Sequence, residues 1–169
     1  MKTPRISAIA AIAEKSRALG KDNELLWRIS GDLKRVKELT MGHPIIMGRK
    51  TMEHIVAITG KSLPGRTNIV MSNSQTELRD GFVFVKNVDD AFSIADSSPG
   101  GADEFFIFGG ARTYELFLPY INRIYLTIVQ DDPQADAFFP DYSEFKTIVE
   151  KSEVMEDGGI KYYYLTLER

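Results

Sequence analysis

Pro44-Ile45-Ile46-Met47-Gly48-Arg49-Lys50-Thr51 is the stretch that decides how this chain folds. Its apolar run is short and bounded by turn formers, so it reads as a strand buried on both faces, and Thr51 to Ile58 reads as a short helix running off its end. Two cations, Arg49 and Lys50, stand where that helix begins. The helix macrodipole disfavours each of them there by about 0.3–1 kcal/mol, so a bound phosphate at Gly48 to Thr51 is the simplest compensation. Two long side chains that point into water are the other reading.

Working outward, the same alternation recurs. Upstream, Ile6 to Ala13 is a second buried strand, rich in small side chains, and Ala10 and Ala11 leave room for a bulky group or for tight helix packing. Glu14 to Leu25 shows no period and reads as a long loop. Ser30 is placed to cap a helix whose apolar positions Leu33, Val36 and Leu39 recur at about one turn, ended by Gly42 and Pro44. Downstream, Leu63-Pro64-Gly65-Arg66-Thr67 is a turn into a strand over Asn68 to Ser72. Phe82 to Val85 is a strand, and Val88 to Ala95 a helix begun by Asp89 or Asp90. Glu104 to Phe108 is a strand, broken by Gly109-Gly110 before a helix through Phe117. Arg123 to Val129 and Phe145 to Met155 are strands, and Asp157-Gly158-Gly159 signals a hairpin into a last strand, Ile160 to Glu168. Strand and helix alternate, then strands follow alone. That predicts an α/β fold over residues 1–169 as one domain: a mostly parallel, doubly wound sheet with an antiparallel C-terminal hairpin on one edge.

Composition narrows the function. The 169 residues contain no cysteine, carry a formal net charge of -3, and are 43% hydrophobic and 27% charged. These are ordinary globular values, so wholesale disorder and disulfide scaffolds are excluded. A pI near 5.5 argues against a nucleic-acid binder. The longest strongly apolar run is too short to span a bilayer, and the first residues give no convincing lead-in to a cleavable signal, so a cytoplasmic, monomeric protein is expected.

Phe108-Gly109-Gly110-Ala111-Arg112 is a second strand-to-helix junction, where glycines let backbone amides approach a pyrophosphate or simply make a tight turn. It is not G-x-G-x-x-G, so the common dinucleotide fingerprint is absent. Two such junctions on one parallel sheet open on the same crevice, which makes a two-phosphate cofactor plausible. Asp32 lies in the first turn of the helix at Ser30. An acid there stabilises the dipole, but beside Trp27, Leu33 and Val36 its carboxylate could equally be buried and perturbed. His43 and His54 are the only histidines, so a zinc or haem site lacks ligands, and no metal is expected. No G-x-S-x-G marks a serine hydrolase. Tyr162, Tyr163 and Tyr164 alternate faces of the last strand and read as packing.

Taken together the motifs resemble the dihydrofolate reductases of the bacterial, chromosomal type. The likeness runs nearly end to end: Ile9-Ala10-Ala11, Gly20 through Asn23, Trp27, Asp32-Leu33, Pro44 through Thr51, Leu63-Pro64-Gly65-Arg66, Gly109-Gly110 with Tyr114, Tyr125-Leu126-Thr127, and Phe139-Pro140. The resemblance implies hydride transfer from NADPH to 7,8-dihydrofolate. It implies that Asp32 is the ionisable group of the pterin pocket, with Thr127 behind it and Trp27 ordering water. On the substrate side it implies Ile9, Ala10, Leu33, Val36, Ile55, Leu63, Phe108 and Tyr114, with Arg66 clamping the glutamate α-carboxylate. Around the nicotinamide it implies Ala11, Leu19, Gly20 and Asn23. For the adenosine 2′-phosphate it implies Arg49, Ser72 and Asn73, and for the pyrophosphate Gly48, Lys50, Thr51, Gly109, Gly110, Ala111, Arg112 and Thr113. The chain departs from the family pattern at Val36, where a phenylalanine is usual, at Leu26, where a proline is, and at Ala111, which replaces a third glycine. Another reductase of this fold, such as the pyrimidine reductase of riboflavin synthesis, fits Trp27 through Asp32 and Leu63 through Arg66 less well. An intact Asp32 argues against the other alternative, a nucleotide-sensing or interaction module that kept the fold and lost catalysis.

Overall fold

The computed structural model describes residues 2–73 and 79–169. Its elements in chain order are β1 (Arg5–Ala13), β2 (Ala18–Lys21), β3 (Glu24–Leu25), α1 (Ser30–Thr40), β4 (Ile45–Gly48), α2 (Arg49–Thr59), β5 (Asn68–Met71), β6 (Phe82–Val85), α3 (Val88–Ser97), β7 (Glu104–Gly109), α4 (Ala111–Phe117), β8 (Arg123–Val129), β9 (Ala137–Phe138), β10 (Thr147–Lys151), β11 (Met155–Asp157) and β12 (Ile160–Glu168). The main sheet runs β10-β12-β8-β1-β7-β4-β5-β6, with β11 also on β12. From β8 to β6 every neighbour is parallel; β12 joins β8 antiparallel and pairs with β10 and β11 on its other side. This is the mixed α/β sheet that the strand and helix alternation predicts.

Alternation along each strand divides the core in two. Ala8, Ile12, Ile46, Phe105, Ile107 and Leu126 face α3 and α4, meeting Ala91, Ala95 and Phe117. Their neighbours Ile9, Ile45, Met47, Phe106 and Tyr125 face the other way, onto Met52 and Ile55 of α2 and Val36 and Leu39 of α1. Buried parallel strands need apolar side chains on both faces, which is why these runs show no polar alternation.

Four sequence expectations change. The stretch from Glu14 to Leu25 is not all loop: β2 and β3 form a hairpin that pairs with β9 in a small separate sheet. Its two turn residues, Asp22 and Asn23, have φ of 53° and 63°, and Asp and Asn tolerate that left-handed region. Ser30 is not a cap. It is the first helical residue of α1, and its N–H and hydroxyl both donate to Oδ2 of Asp157, each at 3.0 Å. Phe145 to Met155 is not one strand, because the chain leaves the sheet between β10 and β11. The cap of α3 is Asn87, whose Oδ1 accepts the N–H of Asp90 at 2.8 Å, rather than Asp89 or Asp90.

Candidate active site

The parallel strands β4 and β7 deliver their carboxyl ends side by side, with Met47 opposite Gly109. Each strand continues into a helix whose capping position is a glycine, Gly48 for α2 and Gly110 for α4, and neither helix start has a side-chain cap. Among the described residues neither start has the side-chain acceptor that caps α3, the setting in which a helix start can receive an anion. The backbone here is crowded. A Cβ on Gly48 would stand 2.8 Å from the Thr113 hydroxyl and 3.8 Å from the Gly110 nitrogen, and one on Gly110 would stand 3.7 Å from the Thr51 hydroxyl. The peptide between Gly109 and Gly110 is cis. Gly48, Thr51, Gly109, Gly110 and Thr113 are thus brought together, with Ala111 half-buried behind them and Arg49, Lys50 and Arg112 exposed.

The carboxylate lies by β8, two strands from β7 in the same sheet. Asp32 sits in the first turn of α1 and Oδ1 accepts the Thr127 hydroxyl at 2.5 Å. Thr127 lies on β8 opposite Ala11 of β1 and Tyr164 of β12, so three strands floor the pocket. Burial pushes the Asp32 carboxyl above its ordinary value; the Thr127 hydrogen bond and the charge of Arg35 pull the other way. Burial also raises the phenol of Tyr114.

Of the apolar residues expected on the substrate side, Ile9, Val36, Ile55, Leu63 and Phe108 come together in the core that α1 and α2 cover. Leu33 falls outside that cluster and is 45% exposed. Ala10 and Tyr114 go elsewhere: strand alternation turns Ala10 into the opposite core, where Tyr114 is also buried. Tyr114 reaches back only through its hydroxyl, which donates to the Ile9 carbonyl at 2.6 Å. Arg66 is half-buried where α1 ends. Its Nε donates to the Pro64 carbonyl at 3.0 Å and its Nη1 to the Thr40 hydroxyl at 3.1 Å, and among the described residues no carboxylate pairs with it. Asn68 holds the turn before it by bonding both the N–H and the carbonyl of Leu63.

Trp27 is placed differently from a water-ordering indole alone, since its Nε1 donates to Oδ2 of Asp131 at 2.9 Å. Leu19 packs toward the α3 and α4 core, Gly20 is buried in the small sheet, and Asn23 forms its hairpin turn. Ser72 and Asn73 follow β5, with the Ser72 N–H donating to the Val85 carbonyl. Arg49 Nε pairs with Glu53 at 3.1 Å across one turn of α2. Sequence reasoning missed Arg35, Asp131, Asp136 and Asp157. Only Arg35 left a local signal, three residues after Asp32 on the same helix, because the others act across the fold.

Two adjacent uncapped helix starts with cations beside them, and one seated carboxylate over an apolar wall, define a class: a nucleotide-dependent α/β enzyme acting on a small, mostly apolar molecule. The comparisons carry this further. The family model for dihydrofolate reductase matches residues 5–169. The dihydrofolate reductase of Staphylococcus haemolyticus is 36% identical over 168 residues, covering 98% of this chain and 96% of that one. That of Bacillus subtilis (strain 168) is 38% identical over 139 residues, covering 82% and 77%, and one from Haloferax volcanii is 32% identical over 167 residues, covering 98% and 84%. The chain belongs to the dihydrofolate reductase family. It is an oxidoreductase that reduces dihydrofolate to tetrahydrofolate, and the family's reductant is a reduced nicotinamide. Among the described residues no helix is long and apolar enough to cross a membrane.

Proposed function

We propose that this reductase takes its hydride from NADPH and that Asp32 governs the proton that accompanies it. The observation that carries the second half is the seat of Asp32: a half-buried carboxylate fixed by Thr127 at 2.5 Å on the helix that bears Val36 of the apolar wall. When bound, the nicotinamide supplies the hydride, which arrives at C6 of the pterin. Asp32 then has two tasks. Its carboxylate accepts hydrogen bonds from the pterin amino group and ring nitrogen, which orients the ring, and its negative charge favours protonation of N5 through water. Thr127, donating to Oδ1, holds the carboxylate so that the other oxygen is left to the substrate. Trp27, tethered by Asp131 and packed on the cluster of Ile29, Val129 and Tyr162, is given the ordering of the water by the family likeness. Ile9, Val36, Ile55, Leu63 and Phe108 exclude water from the rings, and Arg66 offers a two-pronged donor to the glutamate α-carboxylate.

The cofactor side fits a phosphorylated dinucleotide. The bare glycines Gly48 and Gly110 at two uncapped helix starts support the assignment of Lys50, Thr51 and the amides of residues 110–113 to the pyrophosphate, and the family likeness assigns Arg49, Ser72 and Asn73 to the 2′-phosphate. The Arg49 and Glu53 side chains are 45% and 49% exposed, so their pair is a weak surface contact that a phosphate dianion displaces. Two measurements test the reading. Loss of the reduced-nicotinamide absorbance is expected with NADPH only when dihydrofolate is present; loss without it would point to another acceptor. Arg49→Ala should weaken NADPH by roughly 10- to 150-fold and NADH far less, since a charge-assisted hydrogen bond is worth about 1.5–3 kcal/mol. Equal losses would remove the 2′-phosphate from the account.

A further inference from the structure

Arg35 is half-buried in an unusual setting. Its guanidinium carbon lies 4.0 Å above the centre of the Tyr164 ring and 6.0 Å from that of Tyr125. Its Nη2 donates to the Thr166 hydroxyl at 3.4 Å. All three contacts are to hydroxyl-bearing side chains of β8 and β12, the strands beneath Asp32, since Thr166 stands opposite Tyr125 and Tyr164 opposite Thr127. Nearby on the same helix, Lys34 pairs with Glu38, yet among the described residues no carboxylate pairs with Arg35. Its charge is therefore fixed in place by stacking and left without a counter-ion. The acid whose balance it alters is Asp32, one turn earlier on α1.

The other groups that act on Asp32 do not bring a formal charge. From β8 comes the Thr127 hydroxyl, from β12 the Tyr164 phenol, pushed up to about 12 chiefly by burial, and from α4 the buried phenol of Tyr114, raised further. Both phenols stay neutral through the working range. Among the described residues Arg35 is the one charged side chain in the balance.

We propose that Arg35 is a positioning residue for the reaction, whose fixed positive charge acts through Asp32 to set the alkaline limit of turnover. The inference rests on the role given to Asp32 above. A nearby cation stabilises the ionised carboxylate, so it lowers the pH at which Asp32 and the pterin N5 give up the proton they share through water. Removing the cation raises that pH, so the fall in rate with rising pH moves to higher pH.

The test is the pH dependence of hydride transfer with NADPH and dihydrofolate, measured before product release. Arg35→Met, which keeps the apolar stem, should raise the ratio of alkaline to neutral rate about threefold over wild type, as expected for the loss of one partly screened charge. Arg35→Lys, which keeps the charge but not the planar stack, should follow wild type. In an Asp32→Asn background Arg35→Met should move nothing further. The proposal is overturned by an unmoved alkaline limb in Arg35→Met, by an equal shift in Arg35→Lys, or by a shift that persists without Asp32. A carboxyl NMR titration of Asp32 in the ligand-free protein separates the two levels. Asp32 titrating at the same pH with and without Arg35 overturns the proposal whatever the kinetics, whereas full turnover in Asp32→Asn alone overturns the role of Asp32 itself.

Discussion

Burying the Asp32 carboxylate beside Thr127 strips much of its hydration, and one hydroxyl bond and the charge of Arg35 only partly offset that loss. In the folded chain this carboxyl holds its proton more tightly than in the unfolded chain. The destabilisation is therefore absent in acid, where both forms are protonated, and develops as pH rises through the folded-state value. Asp32→Asn, similar in shape and uncharged, should lose most turnover at neutral pH while melting about 2–6 °C higher than wild type, with the gap closing in acid. Melting curves across pH check it, and a gap that stayed constant would show that charge burial is not its source. Arg66 is the contrasting residue. A contact to the glutamate tail is equal before and during hydride transfer, so Arg66→Ala should raise the KM for dihydrofolate by about tenfold or more and change kcat little. The Kd of a tail-less pterin-site inhibitor should hold. If both inhibitor types lose affinity alike, the bonds of Arg66 to Pro64 and Thr40 matter to the fold rather than to the tail. Asp32 was marked locally only as an acid in the first turn beside Trp27, Leu33 and Val36, and Arg66 was marked only by the likeness of its turn to the family's. What spacing could not convey was that Arg35 stacks on a strand over a hundred residues away.

Among the elements, the hairpin of β2 and β3 is tied down mainly by one segment. Oδ2 of Asp136 accepts the Asp22 N–H at 3.0 Å, the Asp136 N–H donates to the Gly20 carbonyl at 3.0 Å, and Asp131 holds Trp27 further along. Removing the Asp136 carboxylate leaves the backbone pairing of β2 with β9 and deletes one charge-assisted bond, worth about 1.5–3 kcal/mol. Asp136→Ala should therefore speed amide exchange at Asp22 and its hairpin neighbours by about tenfold or more, with a much smaller change for β1 and β8. Uniform acceleration across the chain would mean global destabilisation instead. This hairpin is also where sequence reading failed. Its strands are four and two residues long, too short for periodicity, and its turn is Asp-Asn rather than the more telling Asn-Gly or Asp-Gly. The longer buried strands and the Asp157-Gly158-Gly159 hairpin were readable because an apolar run or a glycine pair is a local property. The cap on α1 was not, because its acceptor comes from the other end of the chain.

Across the whole molecule the two faces of the sheet divide the labour. The face under α3 and α4 is closed core, where Phe105 is 1% exposed and its ring lies 5.7 Å from that of Phe92. The face under α1 and α2 includes the apolar wall beside Asp32. A cavity on the closed face should cost stability without altering ligand binding: Phe105→Ala is expected to lose about 3–5 kcal/mol in denaturant unfolding while dihydrofolate Kd, measured well below the melting point, stays near wild type. A parallel loss of affinity would show that strain crosses the sheet.

The bond from Ser30 to Asp157 spans 127 positions, and the one from Thr127 to Asp32 spans 95. On the ribosome, α1 emerges long before either partner exists. Until residue 157 has left the exit tunnel, the start of α1 lacks its acceptor, and until β8 is made Asp32 has no hydroxyl to rest against. A nascent chain stalled before the last hairpin would therefore carry every motif quoted above for the family likeness and still lack the acceptor at the start of the helix that bears Asp32. The order of synthesis makes a seated Asp32 a signal that β8 has been made, and the Ser30 bond a signal that the chain has reached residue 157.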